Sequence, residues 1–130
     1  MTTQSPPKDN WEKDGLENPV GCTAWVLNPL THELTVRDTF ELAKEEFSPW
    51  HGLRDDIESA VISEGAASIC DRAFKFCLQL EYVQIQNTVT SIGDEAFFFC
   101  PKMESITIPD SVNSVGDAAF ARCLFTSIKI

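Results

Sequence analysis

Covalent or metal chemistry in this 130-residue chain would have to come from five cysteines, Cys22, Cys70, Cys77, Cys100 and Cys123, and two histidines, His32 and His51. A thiolate is a good nucleophile and a good zinc ligand. Cys77, Cys100 and Cys123 stand 23 residues apart, and the chain has no C-x-x-C pair. Equal spacing predicts a column of small buried hydrophobes instead of a ligand set. A Cys–His or Ser–His nucleophile would need His32 or His51 as its base. Both lie in segments that read as loops ahead of the repeats described below. The chain also lacks G-x-S-x-G, a glycine-rich phosphate loop and H-E-x-x-H. The sequence therefore predicts no catalytic residue, no metal ligand and no cofactor.

Other side chains are suited to binding. Glu58, Glu81 and Glu104 recur at the same interval of 23; stacked as neighbouring strands they would lie about 4.8 Å apart. Such a rim either attracts a basic partner or a cation, or keeps the face solvated. Strand alternation points Ser59 and Val61, Tyr82 and Gln84, Ser105 and Thr107, and Ser127 and Lys129 to one outer face. Tyr82 is its natural anchor. Phe76, Phe98 and Phe99 flank an Ala-Phe-x-x-Cys segment at positions where other copies carry Lys75, Ala121 and Arg122. They form either an exposed apolar patch or a contact with the amino-terminal tail.

All of these positions are set by one repeat. The blocks beginning at Ile57, Leu80 and Met103 align without gaps: IESAVISEGAASICDRAFKFCLQ, LEYVQIQNTVTSIGDEAFFFCPK and MESITIPDSVNSVGDAAFARCLF. The Glu, Ser68/Ser91/Ser114, Asp71/Asp94/Asp117, Ala73/Ala96/Ala119, Phe74/Phe97/Phe120 and Cys77/Cys100/Cys123 columns are invariant. Apolar residues two apart, as in Val83 and Ile85, predict a short strand, and the pair Val89 and Ile92 predicts a second extended piece beyond a turn. Asp-x-Ala-Phe-x-x-Cys then reads as a helical turn, with Gly93 or Gly116 taking positive φ and the following Asp as its cap. A single repeat buries too little to fold alone, so the copies must stack, with Phe74, Phe97 and Phe120 in a row. In the first copy Cys70 replaces the glycine, and Ala60 and Ala66 underfill the interior. Trp25, Trp50 or Leu53 from the preceding segment is expected to supply the missing volume.

The motif I-x-x-(V/A/I)-x-I-x-x-x-(V/A)-x-S-I-G-D-x-A-F-x-x-C, over residues 57–123, resembles the BspA-like branch of leucine-rich repeats. The stretch 21–56, with GCTAWVLNPLTHELTV and Ser48-Pro49-Trp50, resembles the amino-terminal cap of that family. The resemblance implies a curved solenoid with its parallel sheet on the concave face, used for protein recognition, often by surface proteins of bacteria and protists, and it implies no activity. The expected fold class is an α+β repeat solenoid with a short parallel sheet, short helical turns in each repeat and an amino-terminal hairpin cap.

Three segments follow. Residues 1–20 read as a flexible tail with Trp11 as its one large anchor. Residues 21–56 read as the cap: a hairpin about Asn28–His32, then a helix at 39–47 opened by Asp38-x-x-Glu41 and ended by Ser48-Pro49. Residues 57–130 hold three 23-residue repeats and a truncated fourth strand, one residue short. Because repeat arrays normally end in a polar cap, this end reads as a fragment of a longer chain or as an edge that pairs, end to end or edge to edge, with another copy.

A net charge of −10, from 20 acidic and 10 basic residues, disfavours nucleic acid and anionic membrane surfaces. No apolar run resembles a signal peptide or a membrane span, so no membrane insertion is expected. With the odd cysteine count this favours an intracellular location; the cell surface or secretion is the alternative that the resemblance implies. The expected function is a non-enzymatic module recognising a protein partner through its concave strands. The alternative is an assembly subunit that packs through the flank phenylalanines and the open carboxyl-terminal strand.

Overall fold

The structure is a computed structural model that describes residues 24–39, 47–124 and 127–129, the last three by backbone alone. β1 (Trp25–Leu27) and β2 (Glu33–Val36) form an antiparallel hairpin that pairs Trp25 with Val36 and Leu27 with Leu34. A 3₁₀ helix at His51–Asp56 leads into the repeats. β3 (Ser59–Ile62) lies parallel between β2 and β5 (Tyr82–Ile85), with Ser59 opposite Tyr82 and Ile62 opposite Ile85. β4 (Ser68–Ile69), β6 (Ser91–Ile92) and β8 (Ser114–Val115) form a second parallel sheet, and β7 (Ser105–Thr107) pairs with β9 (Ser127–Lys129). Ser105 opposes Ser127, the register that the missing residue demands.

The invariant phenylalanines stand in a row. Phe74 and Phe97, and Phe97 and Phe120, stack at 5.3 Å with their planes 8° and 2° apart. The row continues into the hairpin segment through Trp50, 5.7 Å from Phe74, and Trp25, 5.9 Å from Trp50. Trp25, Trp50 and Leu53 are all buried in the same core as Ala60 and Ala66. The cavity left between Trp50, Ile62, Cys70 and Phe74 has a volume of only about 10 Å³.

The Asp-x-Ala-Phe-x-x-Cys segments are not helical, which corrects the α+β expectation; the one helix among the described residues is His51–Asp56. The reason lies in where the backbone N–H groups go. Arg72, Phe74 and Phe76 donate to Asp94, Ala96 and Phe98 of the next coil, at 2.8, 2.6 and 2.9 Å, while Ala73, Lys75 and Cys77 donate three residues back. Every second donor is thus committed sideways, and an i→i−4 ladder cannot form. Arg72, Phe76, Glu95, Phe99, Ala118 and Arg122 take φ of 56–64° to permit this zigzag.

The role expected of the glycines is also different. Positive φ falls two residues later, at Arg72, Glu95 and Ala118. A Cβ on Gly93 would come within 2.6 Å of Asp71 N and 2.8 Å of Cys70 C, and one on Gly116 within 2.5 Å of Asp94 N. Glycine is needed because successive coils touch there, and the first coil can carry Cys70. The aspartates bridge coils instead of capping their own turns: Asp71 Oδ1 accepts from Asp94 N, and Asp94 Oδ1 from Asp117 N, both at 2.8 Å.

The expected tail, Cys22 and most of the helix expected at 39–47 lie outside the described residues.

Candidate binding face

Strand alternation places Ser59, Val61, Tyr82, Gln84, Ser105 and Thr107 on the outer side of the front strands, while Ala60, Ile62, Val83 and Ile106 are buried. Tyr82 is 56% exposed, open to a partner over more than half of its surface. The front strands do not form one continuous sheet. β2, β3 and β5 belong to the sheet that starts at β1, β7 pairs only with β9 among the described residues, and no ladder joins β5 to β7.

One residue accounts for much of that gap. Ser63 N donates to Val36 O at 2.8 Å and Gln86 N to Ile62 O at 3.1 Å, each tying the end of a strand to its predecessor. Pro109 occupies the same column and has no N–H to give. The result is a cleft of about 290 Å³ that Tyr82, Gln84, Ser105 and Thr107 line from the face and Val83, Ile85 and Ile106 line from below. Four residues predicted from strand alternation therefore meet around one opening. The opening itself was missed; Pro109, in a column of ladder donors, is the signal that could have found it.

Glu58, Glu81 and Glu104 sit just before β3, β5 and β7, all exposed. Their backbones tie the coils: Glu58 N donates to His32 O and Glu81 N to Glu58 O, both at 2.9 Å. The Glu58 carboxylate lies 3.5 Å from His32 Nδ1, which is 3.1 Å from the Asp56 carbonyl. His51 stacks on Phe47, with ring centres 4.0 Å apart. Burial lowers its pKa below the ordinary value, and the charges of Arg54 and Lys75 add to the effect.

Phe76, Phe98 and Phe99 form a second group, and none of them lines the cleft. Phe76 packs edge-on against Phe98 at 5.8 Å and Phe99 at 6.3 Å. The Lys75 ammonium lies over Phe76 and Phe98, 5.3 and 5.1 Å from the ring centres, while donating to Glu95 Oε1 at 2.9 Å. Phe76 and Phe99 remain about a third exposed.

The cysteine column is buried at Cys77 and Cys100 and half-open at Cys123, and Cys70, outside that column, is also buried. Burial pushes the Cys70 and Cys77 thiols up to about 12. Among the described residues no three His, Cys, Asp or Glu side chains cluster so as to hold a metal ion, and no helix is long and apolar enough to cross a membrane.

A family model described as a BspA type leucine rich repeat region (6 copies) matches residues 54–130. The chain belongs to this family. Solved leucine-rich repeat structures share its fold. A leucine rich cell surface protein from Faecalibacterium prausnitzii is 30% identical, with a TM-score of 0.56 over 61% of this chain and 21% of that one. A leucine-rich repeat protein from Eubacterium ventriosum is 24% identical, with a TM-score of 0.64 over 80% and 34%. One from Bacteroides capillosus is 16% identical, with a TM-score of 0.58 over 83% and 94%. The chain thus spans a fifth to a third of the length of the first two. None of the curated proteins matches it.

Proposed function

We propose that this BspA-type chain is a non-enzymatic protein-interaction module that takes its partner on the front strands, centred on the cleft between β5 and β7. The interrupted ladder carries the reading. It leaves strand backbone beside an exposed tyrosine and three hydrogen-bonding side chains, Gln84, Ser105 and Thr107. Tyrosine brings a large apolar surface and a polar tip at low entropic cost, which is why it dominates many interfaces. The glutamates beside the strands and the charge of −10 favour a partner with a basic surface through steering. Its resemblance to a bacterial cell surface protein is consistent with recognition as its task.

Replacing Tyr82 and Gln84 together by alanine tests this. Binding to a partner isolated from the native source should weaken at least about tenfold, or ~1.4 kcal/mol, with an unchanged melting curve. Unaltered affinity overturns the site.

A second reading, assembly through the flank, draws on one observation. Phe76 and Phe99 adopt φ of 64° and 58°, a conformation that costs a bulky residue roughly 1–2 kcal/mol and that Asn or Gly would adopt more easily. Arg122 takes the same φ in this column, so it is the aromatic rings, still 36% and 37% exposed at Phe76 and Phe99, that fit a contact surface. Sedimentation as a strict monomer at every concentration, for wild type and Phe76→Ser/Phe99→Ser alike, removes that reading.

A further inference from the structure

Identical in sequence, the column cysteines differ in surroundings. Cys77 and Cys100 are 1% and 0% exposed, whereas Cys123, one coil on, is partly open to solvent. Three residues before each, Phe97 and Phe120 stack 5.3 Å apart with planes 2° from parallel, so the two turns run in register at that separation. Disulfides usually join Cα atoms about 4.4–6.8 Å apart, a window that contains one coil step. Side-chain direction agrees. Cys123 Sγ lies 3.0 Å from the carbonyl oxygen of Phe97, in the same turn as Cys100.

We infer that Cys100 and Cys123 form an oxidation site at which a low-molecular-weight disulfide converts the two thiols into an intrachain disulfide linking the second and third coils. Cys123 thiolate attacks one sulfur of the oxidant, breaking its S–S bond and releasing one thiolate. Cys100 sulfur then attacks Cys123 Sγ in the mixed disulfide. The second oxidant thiolate departs and takes the Cys100 proton. The protein loses two protons and two electrons; the oxidant leaves as two thiols.

Access selects this pair. Cys100 leans on Cys77's turn in the same way, with Sγ 3.2 Å from Phe74 O, but both of those thiols are sealed from solvent and burial holds Cys77 at about 12. Interaction with Cys100 holds the Cys123 thiol below the ordinary value, while Cys100, whose own S–H is directed at Phe74 O, is pushed up. The reaction therefore begins on Cys123 and ends on Cys100.

The test incubates the reduced 130-residue protein, folded, with oxidised glutathione, traps it by alkylation and maps the peptides without reduction. Trypsin combined with a glutamate-specific protease separates the three cysteines, since cleavage at Glu81, Glu95, Lys102 and Arg122 falls between them. The expected product is a Cys100–Cys123 link, formed at a rate that rises with pH as the Cys123 thiol ionises. Cys100→Ala should stall as a glutathione adduct on Cys123, and Cys123→Ser should leave Cys77 and Cys100 unmodified. A persistent adduct on wild-type Cys123, a link from Cys123 to any other cysteine, or an unreactive Cys123 overturns the proposal.

Discussion

Gly93→Ala puts the stacking geometry to its hardest test. The added methyl would meet Asp71 N at 2.6 Å and Cys70 C at 2.8 Å. Both are backbone atoms, so no side chain can rotate aside and the second coil must move off the first. Overpacking of a tight interior costs about 1–3 kcal/mol. The same displacement stretches two hydrogen bonds, Gly93 N to Ile69 O and Asp94 N to Asp71 Oδ1, both 2.8 Å long, worth ~1 kcal/mol each. The sum is about 3–5 kcal/mol, a large share of the roughly 5–15 kcal/mol that holds a domain folded. At about 4 °C per kcal/mol, thermal unfolding followed by circular dichroism should shift down by at least ~12 °C. Cys70→Ala, in the same column but with no coil before it, should cost only about 1 kcal/mol. A Gly93→Ala protein melting within ~3 °C of wild type refutes the close-approach argument.

Three further outcomes follow from the same geometry. Trp50→Phe keeps a ring beside Phe74 but removes the 2.7 Å bond from Nε1 to the buried Ala73 carbonyl; it should cost about 1–3 kcal/mol, read from urea midpoints. Ala118→Asn, at an exposed residue with φ of 56°, should stabilise by about 0.5–1 kcal/mol; a helix there would reverse the sign, because alanine is the better helix former. His51 has a lowered pKa in the fold, so the unfolded chain binds its proton more tightly. Its contribution is complete above about 6.5 and fades as pH falls through the lower folded value. The drop in melting temperature between pH 7 and 5.5 should therefore shrink in His51→Gln.

Strand positions, register and the phenylalanine row were legible because a fixed period places like residues over like, and only stacking satisfies a core made of such columns. The turn was misread for a definite reason. Asp-x-Ala-Phe-x-x-Cys has helical spacing, but the groups that take the N–H of Phe74 and Phe76 lie 22 residues ahead, beyond any local pattern. Glycine is ambiguous in a similar way: positive φ and close approach both demand it, and Cys70 in the first copy was the one clue favouring contact between coils. At the face, alternation identified Tyr82, Gln84, Ser105 and Thr107, yet the opening between them depends on a donor that Pro109 lacks. Cys123 carries the same letter as Cys77, so nothing in the sequence distinguishes the accessible end of that column.

The indole of Trp50 has a consequence for how such chains vary in length. Ala96 and Ala119 each take a backbone hydrogen from the coil before, and at Ala73, where no coil precedes, Nε1 of Trp50 provides it. That tryptophan acts as a seed crystal does, presenting the template from which an ordered lattice grows in one dimension. Beyond it, duplicating or deleting 23 codons would keep the turn bonds of the Phe column in step, so evolution can lengthen or shorten the array while reusing one starting plug.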